Sequence, residues 1–252
     1  MKALILAAGY ATRLNPITLG RPKPLLRIGD HTILDYLVDG IEASGGFDEI
    51  VLISNHKFVG HFERWRMRRE TGTPICILDD GTTENANRRG AIGDMHFAIE
   101  THGIEDDIYV MAADNMAKFD LMALVPFFLE KRESAVYACW EEDLERIKRS
   151  GSVRFDEQTG MITDFVEKPE EPLGHWRVPA FYVYPKDVLP LVAGYLDKGG
   201  NADAPGHFLA WLYEQRPVYV LSRMQGTYDI GTIESYEKVC RMFGAEPEEF
   251  GL

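Results

Sequence analysis

Four short apolar runs, at residues 2–7, 48–54, 74–78 and 107–112, are each followed by a polar loop and a longer stretch of helical periodicity. Runs of Val, Ile and Leu without polar alternation suit strands covered on both faces. Strand, loop and helix in repetition build βαβ units, and such units assemble into a parallel sheet wrapped by helices. Helices are predicted near 32–44, 57–70, 91–101 and 119–131. The second half reads differently, with short strands at 134–140, 152–156, 161–167 and 178–184 separated by turn residues such as Glu157-Gln158-Thr159-Gly160. Helices near 186–196, 205–214 and 232–243 and a strand near 217–222 complete the chain. The expected fold is α/β, a Rossmann-like doubly wound mixed sheet in three αβα layers, formed as one domain over residues 1–252.

Charge and composition narrow the function. The formal net charge of −13 opposes a general polyanion-binding surface and hence nucleic acid, while a local basic pocket can still hold one phosphorylated ligand. The start, MKALILAAG, has one lysine and a short apolar run, which reads as a buried strand rather than a signal peptide. No stretch has the apolar length of a membrane span. Cys76, Cys139 and Cys240 are odd in number and widely spaced, as befits buried thiols in a reducing compartment, so a cytoplasmic protein is expected. The seven histidines form no zinc pattern.

Chemistry concentrates in LAAGYATRLNPITLGRPKPLL, Leu6 to Leu26, directly after the first apolar run. Ala7, Ala8 and Gly9 are small enough for backbone N–H groups to approach a ligand, an arrangement suited to phosphate. Arg13 offers a two-pronged donor, and Lys23, between Pro22 and Pro24, a positioned point charge. By themselves these residues equally suit a close-packed turn with solvated cations, and their spacing matches neither the dinucleotide fingerprint nor the Walker A loop.

Taken whole, the segment closely resembles the signature of the sugar-nucleotide pyrophosphorylases, the nucleotidyltransferases of the glucose-1-phosphate thymidylyltransferase type. Further similar segments follow in order: Gly90-Ala91-Ile92-Gly93-Asp94, Ala112-Ala113-Asp114-Asn115, Phe165-Val166-Glu167-Lys168-Pro169, Val178-Pro179-Ala180-Phe181-Tyr182 and Tyr228-Asp229-Ile230-Gly231-Thr232. The resemblance spans residues 2 to about 240. It implies a GT-A-like fold that joins a nucleoside triphosphate to a sugar 1-phosphate and releases pyrophosphate. Leu6, Ala7, Ala8, Gly9 and Gly90 would then hold the nucleotide, Arg13 and Lys23 the reacting phosphates, and Gly151, Glu167, Lys168 and Val178 the sugar phosphate.

Asp114 follows a strand, where α/β sheets place ligand groups, and Asp229 sits in the late loop. Two carboxylates together with substrate phosphates suffice for Mg²⁺, the implied cofactor, although a lone aspartate in a loop is equally a turn residue. Asn201 and Asp203 stand before a helix, where helix capping competes with a place beside the sugar. Self-association into a homo-oligomer is compatible with the sequence, and no membrane partner is expected.

Three departures stand out. Ala7-Ala8-Gly9 lacks a second glycine. Ala113 replaces a glycine before the aspartate and would add a methyl group near the ligand. The loop from Asp79 to Arg89, DDGTTENANRR, lacks the base-reading glutamine of thymidylyltransferases, which leaves Asn85 as a candidate base contact. The chain has no carboxyl-terminal β-helix of the kind many relatives carry, so a bare catalytic domain is expected. Arg64, Arg66, Arg68 and Arg69 near Trp65 read as a solvated helix face. Alternative activities are cytidylyl transfer to a non-sugar phosphate, such as an amino alcohol or polyol phosphate, and a catalytically silent nucleotide-sugar sensor.

Overall fold

The computed structural model of the protein describes residues 1–228 and 230–247. The strands are β1 (Lys2–Leu6), β2 (Arg27–Ile28), β3 (His31–Thr32), β4 (Glu49–Ser54), β5 (Ile75–Asp79), β6 (Ile108–Ala112), β7 (Met116–Ala117), β8 (Ser134–Trp140), β9 (Gly151–Phe155), β10 (Ile162–Glu167), β11 (Trp176–Val178), β12 (Phe181–Tyr184), β13 (Val218–Arg223) and β14 (Thr227–Tyr228). The helices are α1 (Ile33–Ser44), α2 (Val59–Met67), α3 (Ala91–His102), α4 (Leu124–Lys131), α5 (Leu144–Ile147), α6 (Leu189–Asp197), α7 (Pro205–Leu212) and α8 (Ile233–Met242). Among the described residues no helix is long and apolar enough to cross a membrane.

Ten strands form one mixed sheet. β1 lies between β4 and β6, parallel to both, and β5 extends the parallel half beyond β4. Successive side chains of a strand point to opposite faces, and β1 shows the result. Leu4 enters a core with α3, α6 and α7, whereas Ala3 and Ile5 enter a second core with α1, α2 and α4. The doubly wound, three-layer expectation therefore holds. A third cluster packs Tyr236, Val239 and Cys240 of α8 against Leu14, Ile17, Leu26 and Ile28, and Tyr236 Oη donates to the Arg27 carbonyl at 2.7 Å. The long basic loop is thus clamped by the last helix.

Local chemistry sets the helix ends. Thr32 and Asp35 form a reciprocal capping box at the start of α1, and Gly45 ends it in the left-handed region at φ 63°. Asp35 also accepts from Trp65 Nε1 and from Arg69, which in addition pairs with Asp39 and Glu42. Arg69 therefore ties the end of α2 to α1, and only part of the arginine cluster is a solvated face.

The strand expected over 178–184 is two strands. Arg177 faces Cys139 and Tyr182 faces Val136, so five residues advance on one side against three on β8. Pro179 has no N–H to donate, which interrupts the ladder. On the other edge β11 pairs with β9 while β12 pairs with β6, and the sheet forks at Pro179-Ala180. Short α5 was not anticipated by the periodicity; Asp143 caps it by accepting from the Glu145 N–H.

Candidate active site

A cleft of about 520 Å³ opens at this fork, over the carboxyl ends of β1 and β6. Open α/β sheets place ligands at such strand ends. Among the described residues, seven around the cleft are cationic: Arg13, Lys23, Arg88, Arg146, Arg149, Lys168 and Arg177. The carboxylates Asp94, Asp114, Glu167 and Asp203 share this lining, so the cleft of an acidic protein carries an excess of cations.

Leu6, Ala7, Ala8 and Gly9 form one wall. The Ala7 N–H is committed to the Ile53 carbonyl at 2.9 Å and is not free for a ligand. Asn55, fully buried, donates to the Ala8 carbonyl at 2.8 Å and so shapes the loop. No described residue accepts from the N–H groups of Ala8 and Gly9.

Lys23 opens a 3-10 turn between Pro22 and Pro24, and its side chain is only 10% exposed. Its Nζ lies 3.0 Å from Asp114 Oδ2. The Lys23 ammonium is the main cause that holds the Asp114 carboxyl below the ordinary carboxylate range. Asp114 is nevertheless 51% exposed, and Asn115 Nδ2 donates to its Oδ1 at 3.1 Å. An ionised, accessible carboxylate in a cation-rich cleft has the donor chemistry of one protein ligand of a Mg²⁺ shared with phosphates. Ala113 does not act as expected: its methyl is buried in the second core and its N–H donates to Leu6, so it adds no bulk to the cleft. The ladder of β7 with β14 brings Tyr228 and Ile230 to the cleft, while the expected second metal ligand, Asp229, lies outside the described residues.

At the other end, Gly90 precedes α3 at φ 80°. A Cβ there would overlap the Ala202 carbonyl, which itself accepts from the Ile92 N–H at 3.0 Å. The glycine is required so that residues 201–203 can cap α3. Asp203 does not cap α7; its carboxylate binds Arg88 Nη2 at 2.8 Å and lies 3.5 Å from Lys168 Nζ. Asn85 is exposed in a 3-10 turn outside the cleft wall, with its carbonyl held by Arg88 at 3.0 Å. Asp94 lines the wall instead.

Beyond the fork, Gly151, Glu167, Lys168, Val178 and Ala180 face the cleft together. Lys168 takes the left-handed region at φ 49°, with its N–H bonded to the Ser150 carbonyl at 3.0 Å. A residue other than glycine seldom adopts this backbone. Burial raises the Glu167 carboxyl to about 7, opposed by the Lys168 charge.

Arg146, Arg149 and Arg177 were not singled out by sequence. Arg177 is 6% exposed and donates to Thr227 Oγ1 at 2.6 Å; Arg146 pairs with Glu141 at 2.7 Å. Arginine on a short helix or strand has no local signature.

The chain is 29% identical over 188 residues to a UTP–glucose-1-phosphate uridylyltransferase of Haloferax volcanii, covering 73% of this chain and 72% of that protein. It is 26% identical to a putative mannose-1-phosphate guanyltransferase of Sulfolobus acidocaldarius, covering 77% of this chain and 51% of the relative, so it spans about half of that protein's length. A putative glucose-1-phosphate thymidylyltransferase from Bacillus anthracis, solved with sucrose, superposes with a TM-score of 0.79 at 20% identity over 100% of this chain and 98% of that one. A UDP-glucose pyrophosphorylase complexed with UDP-glucose superposes with a TM-score of 0.80 at 20% identity, over 96% and 98% of the two chains. These likenesses support the same fold. The nucleotidyl transferase family model matches residues 2–244, nearly the whole chain and every wall of the cleft, and the protein belongs to that family.

Proposed function

We propose that the protein transfers a nucleotidyl group from a nucleoside triphosphate to a sugar 1-phosphate, forming a nucleoside diphosphate sugar and pyrophosphate. The Lys23–Asp114 pair at 3.0 Å carries this reading, because it lines one cleft with a loop that has free N–H groups and with the Glu167-Lys168 corner. Free N–H groups of Ala8 and Gly9 suit phosphate oxygens. A phosphate oxygen of the acceptor attacks the α-phosphorus in line as the bond to the β-phosphate oxygen breaks, and charge builds on the departing pyrophosphate. Arg13 and Lys23 neutralise that charge. Lys168 holds the acceptor's phosphate, and Glu167 accepts from sugar hydroxyls. The attacking oxygen is already anionic, so no general base is needed.

Asp114 would hold Mg²⁺ together with the triphosphate, and bound Mg²⁺ would supply further neutralisation of phosphate charge. The free thiols of Cys76, Cys139 and Cys240 suit a reducing compartment and hence the cytoplasm.

The test is pyrophosphate release from purified protein with Mg²⁺, for ATP, GTP, CTP, UTP and dTTP crossed with hexose 1-phosphates. Release that requires both a triphosphate and a sugar 1-phosphate is expected. Tight nucleotide binding with no release on any sugar phosphate would overturn the reading.

A further inference from the structure

Away from the cleft, three side chains of metal-ligating type converge. One atom each of Glu49, Cys76 and His102 lies within 4.8 Å of the other two, and no other three His, Cys, Asp or Glu side chains gather as closely among the described residues. All three are half-buried. Cys76 Sγ is 3.8 Å from His102 Nδ1, and His102 Nε2 is 2.9 Å from Glu49 Oε2. Lys2 Nζ donates to the same Glu49 oxygen at 2.6 Å.

The fold accounts for the meeting. Glu49 opens β4 and, by strand alternation, points to the same face as Val51 and Ile53, which lie in the core beneath α3. Cys76 pairs with Val51 across β4 and β5 and shares that face. On α3, Met95 and Ala98 enter the same core, and His102 follows Met95 by seven residues, so the helical period turns the imidazole toward the sheet. Because β5 is an edge strand, the cluster stands at the rim of the sheet, where solvent reaches it. Residues so far apart in sequence form no zinc motif, and only the pairing of β4 with β5 under α3 gathers them.

The cluster is also separate from the cleft. It lies at the amino ends of β1 and β4, beside Lys2, whereas the cleft opens over the carboxyl end of β1 at Leu6. At the rise of a strand these ends are roughly 13 Å apart.

The donor set selects the ion. A thiolate, an imidazole and a carboxylate together suit Zn²⁺ and not Mg²⁺, which takes oxygen ligands. Zinc bonds of about 2.0–2.3 Å put tetrahedral ligand atoms roughly 3.3–3.6 Å apart, so side-chain movements of roughly 1 Å close the cluster on the ion. Thiolate and carboxylate balance the charge of Zn²⁺, which leaves the Lys2 ammonium beside a neutral centre. Water can fill the fourth corner. Binding forms the zinc–sulfur bond as the Cys76 S–H bond breaks, and its proton passes to solvent.

We propose that Glu49, Cys76 and His102 form a zinc site that fastens edge strand β5 and the end of α3 to β4. The site is independent of the nucleotidyl-transfer reading.

The test adds Co²⁺, and separately Zn²⁺, to reduced full-length protein freed of metal by chelation. Wild type is expected to bind cobalt with a near-ultraviolet charge-transfer band that requires a thiolate ligand, and zinc should displace it. Cys76→Ser should lose the band, and His102→Gln should bind both ions about 100-fold more weakly. Asp114→Asn, altered in the cleft, should keep the band. Zinc should raise the melting temperature of wild type and not of Cys76→Ser. Absence of the band in wild type, or an unaltered band in folded Cys76→Ser or folded His102→Gln, overturns the site.

Discussion

The Glu167 carboxylate occupies space that is open only because residue 206 is glycine: a Cβ on Gly206 would overlap Glu167 Oε2. Gly206 is buried in the first turn of α7, and Glu167 ends β10. The helix start and the strand end are thus fitted to each other at the Lys168 side of the cleft.

Gly206→Ala is therefore expected to displace the Glu167 carboxylate while leaving the fold in place, because the clashing atoms are the far end of one side chain. The KM for sugar 1-phosphate should rise about 10-fold, with the triphosphate dissociation constant unaltered. Steady-state kinetics in both substrates checks this; an unchanged KM for the sugar phosphate would show that the carboxylate position is irrelevant to the acceptor.

Glu167 also makes a pH prediction. Its folded-state value is raised from the ordinary 4.5 to about 7, chiefly by burial. Between these values the unfolded chain releases the proton and the folded protein keeps it, so the folded state binds more protons and loses stability as pH rises. The contribution is fully present below about 4.5 and lost once pH passes about 7. Glu167→Gln should remove this dependence and unfold at a higher temperature than wild type above pH 7. Thermal melts of both proteins across that range decide it, and parallel curves would refute it.

Lys23 and Asp114 are expected to fail in different ways. Lys23→Met should lower kcat by about 100-fold or more, since it removes the buried charge that the proposed mechanism sets against the leaving group. It also removes the main cause of the low Asp114 value, so the pH at which residual activity falls on the acid side should move upward. Asp114→Asn keeps the volume and removes the negative charge, and turnover should nearly vanish at every Mg²⁺ concentration. A Lys23→Met profile identical to wild type would exclude the coupling between the two residues.

Gly90→Ala tests the other end of the cleft. The residue sits at φ 80°, and a methyl group would strike the Ala202 backbone rather than a flexible side chain. A loss of about 2 kcal/mol or more is expected from strain and from displacement of residues 201–203. Chemical denaturation measures it. Asp203 moves with that segment, so weaker binding of the acceptor phosphate through Lys168 should accompany the loss.

The period of the apolar runs was sufficient to predict the parallel half of the sheet, because a strand buried on both faces must be apolar throughout. The order of the motifs was sufficient to predict that the basic loop, Asp114 and the Glu167-Lys168 corner stand beside strand ends, since the sheet dictates where those ends lie. The single strand expected over 178–184 missed the effect of Pro179, whose absent N–H is a local fact with a non-local result: a fork in the sheet.

Asn85 illustrates the opposite limit. Its amide chemistry suits a base, yet a 3-10 turn places it outside the cleft, while Asp94, a plain helical residue in sequence, lines the wall. What the chain by itself determined was which residues lie on strands and where small residues and cations follow them, because backbone period and turn chemistry are local. The tertiary structure alone decided that Asp80 meets Asp94, that Gly206 admits Glu167, and that Arg146, Arg149 and Arg177 turn inward. Each of those relations joins separate elements, and only the packing of helices against a forked sheet sets the distance between them.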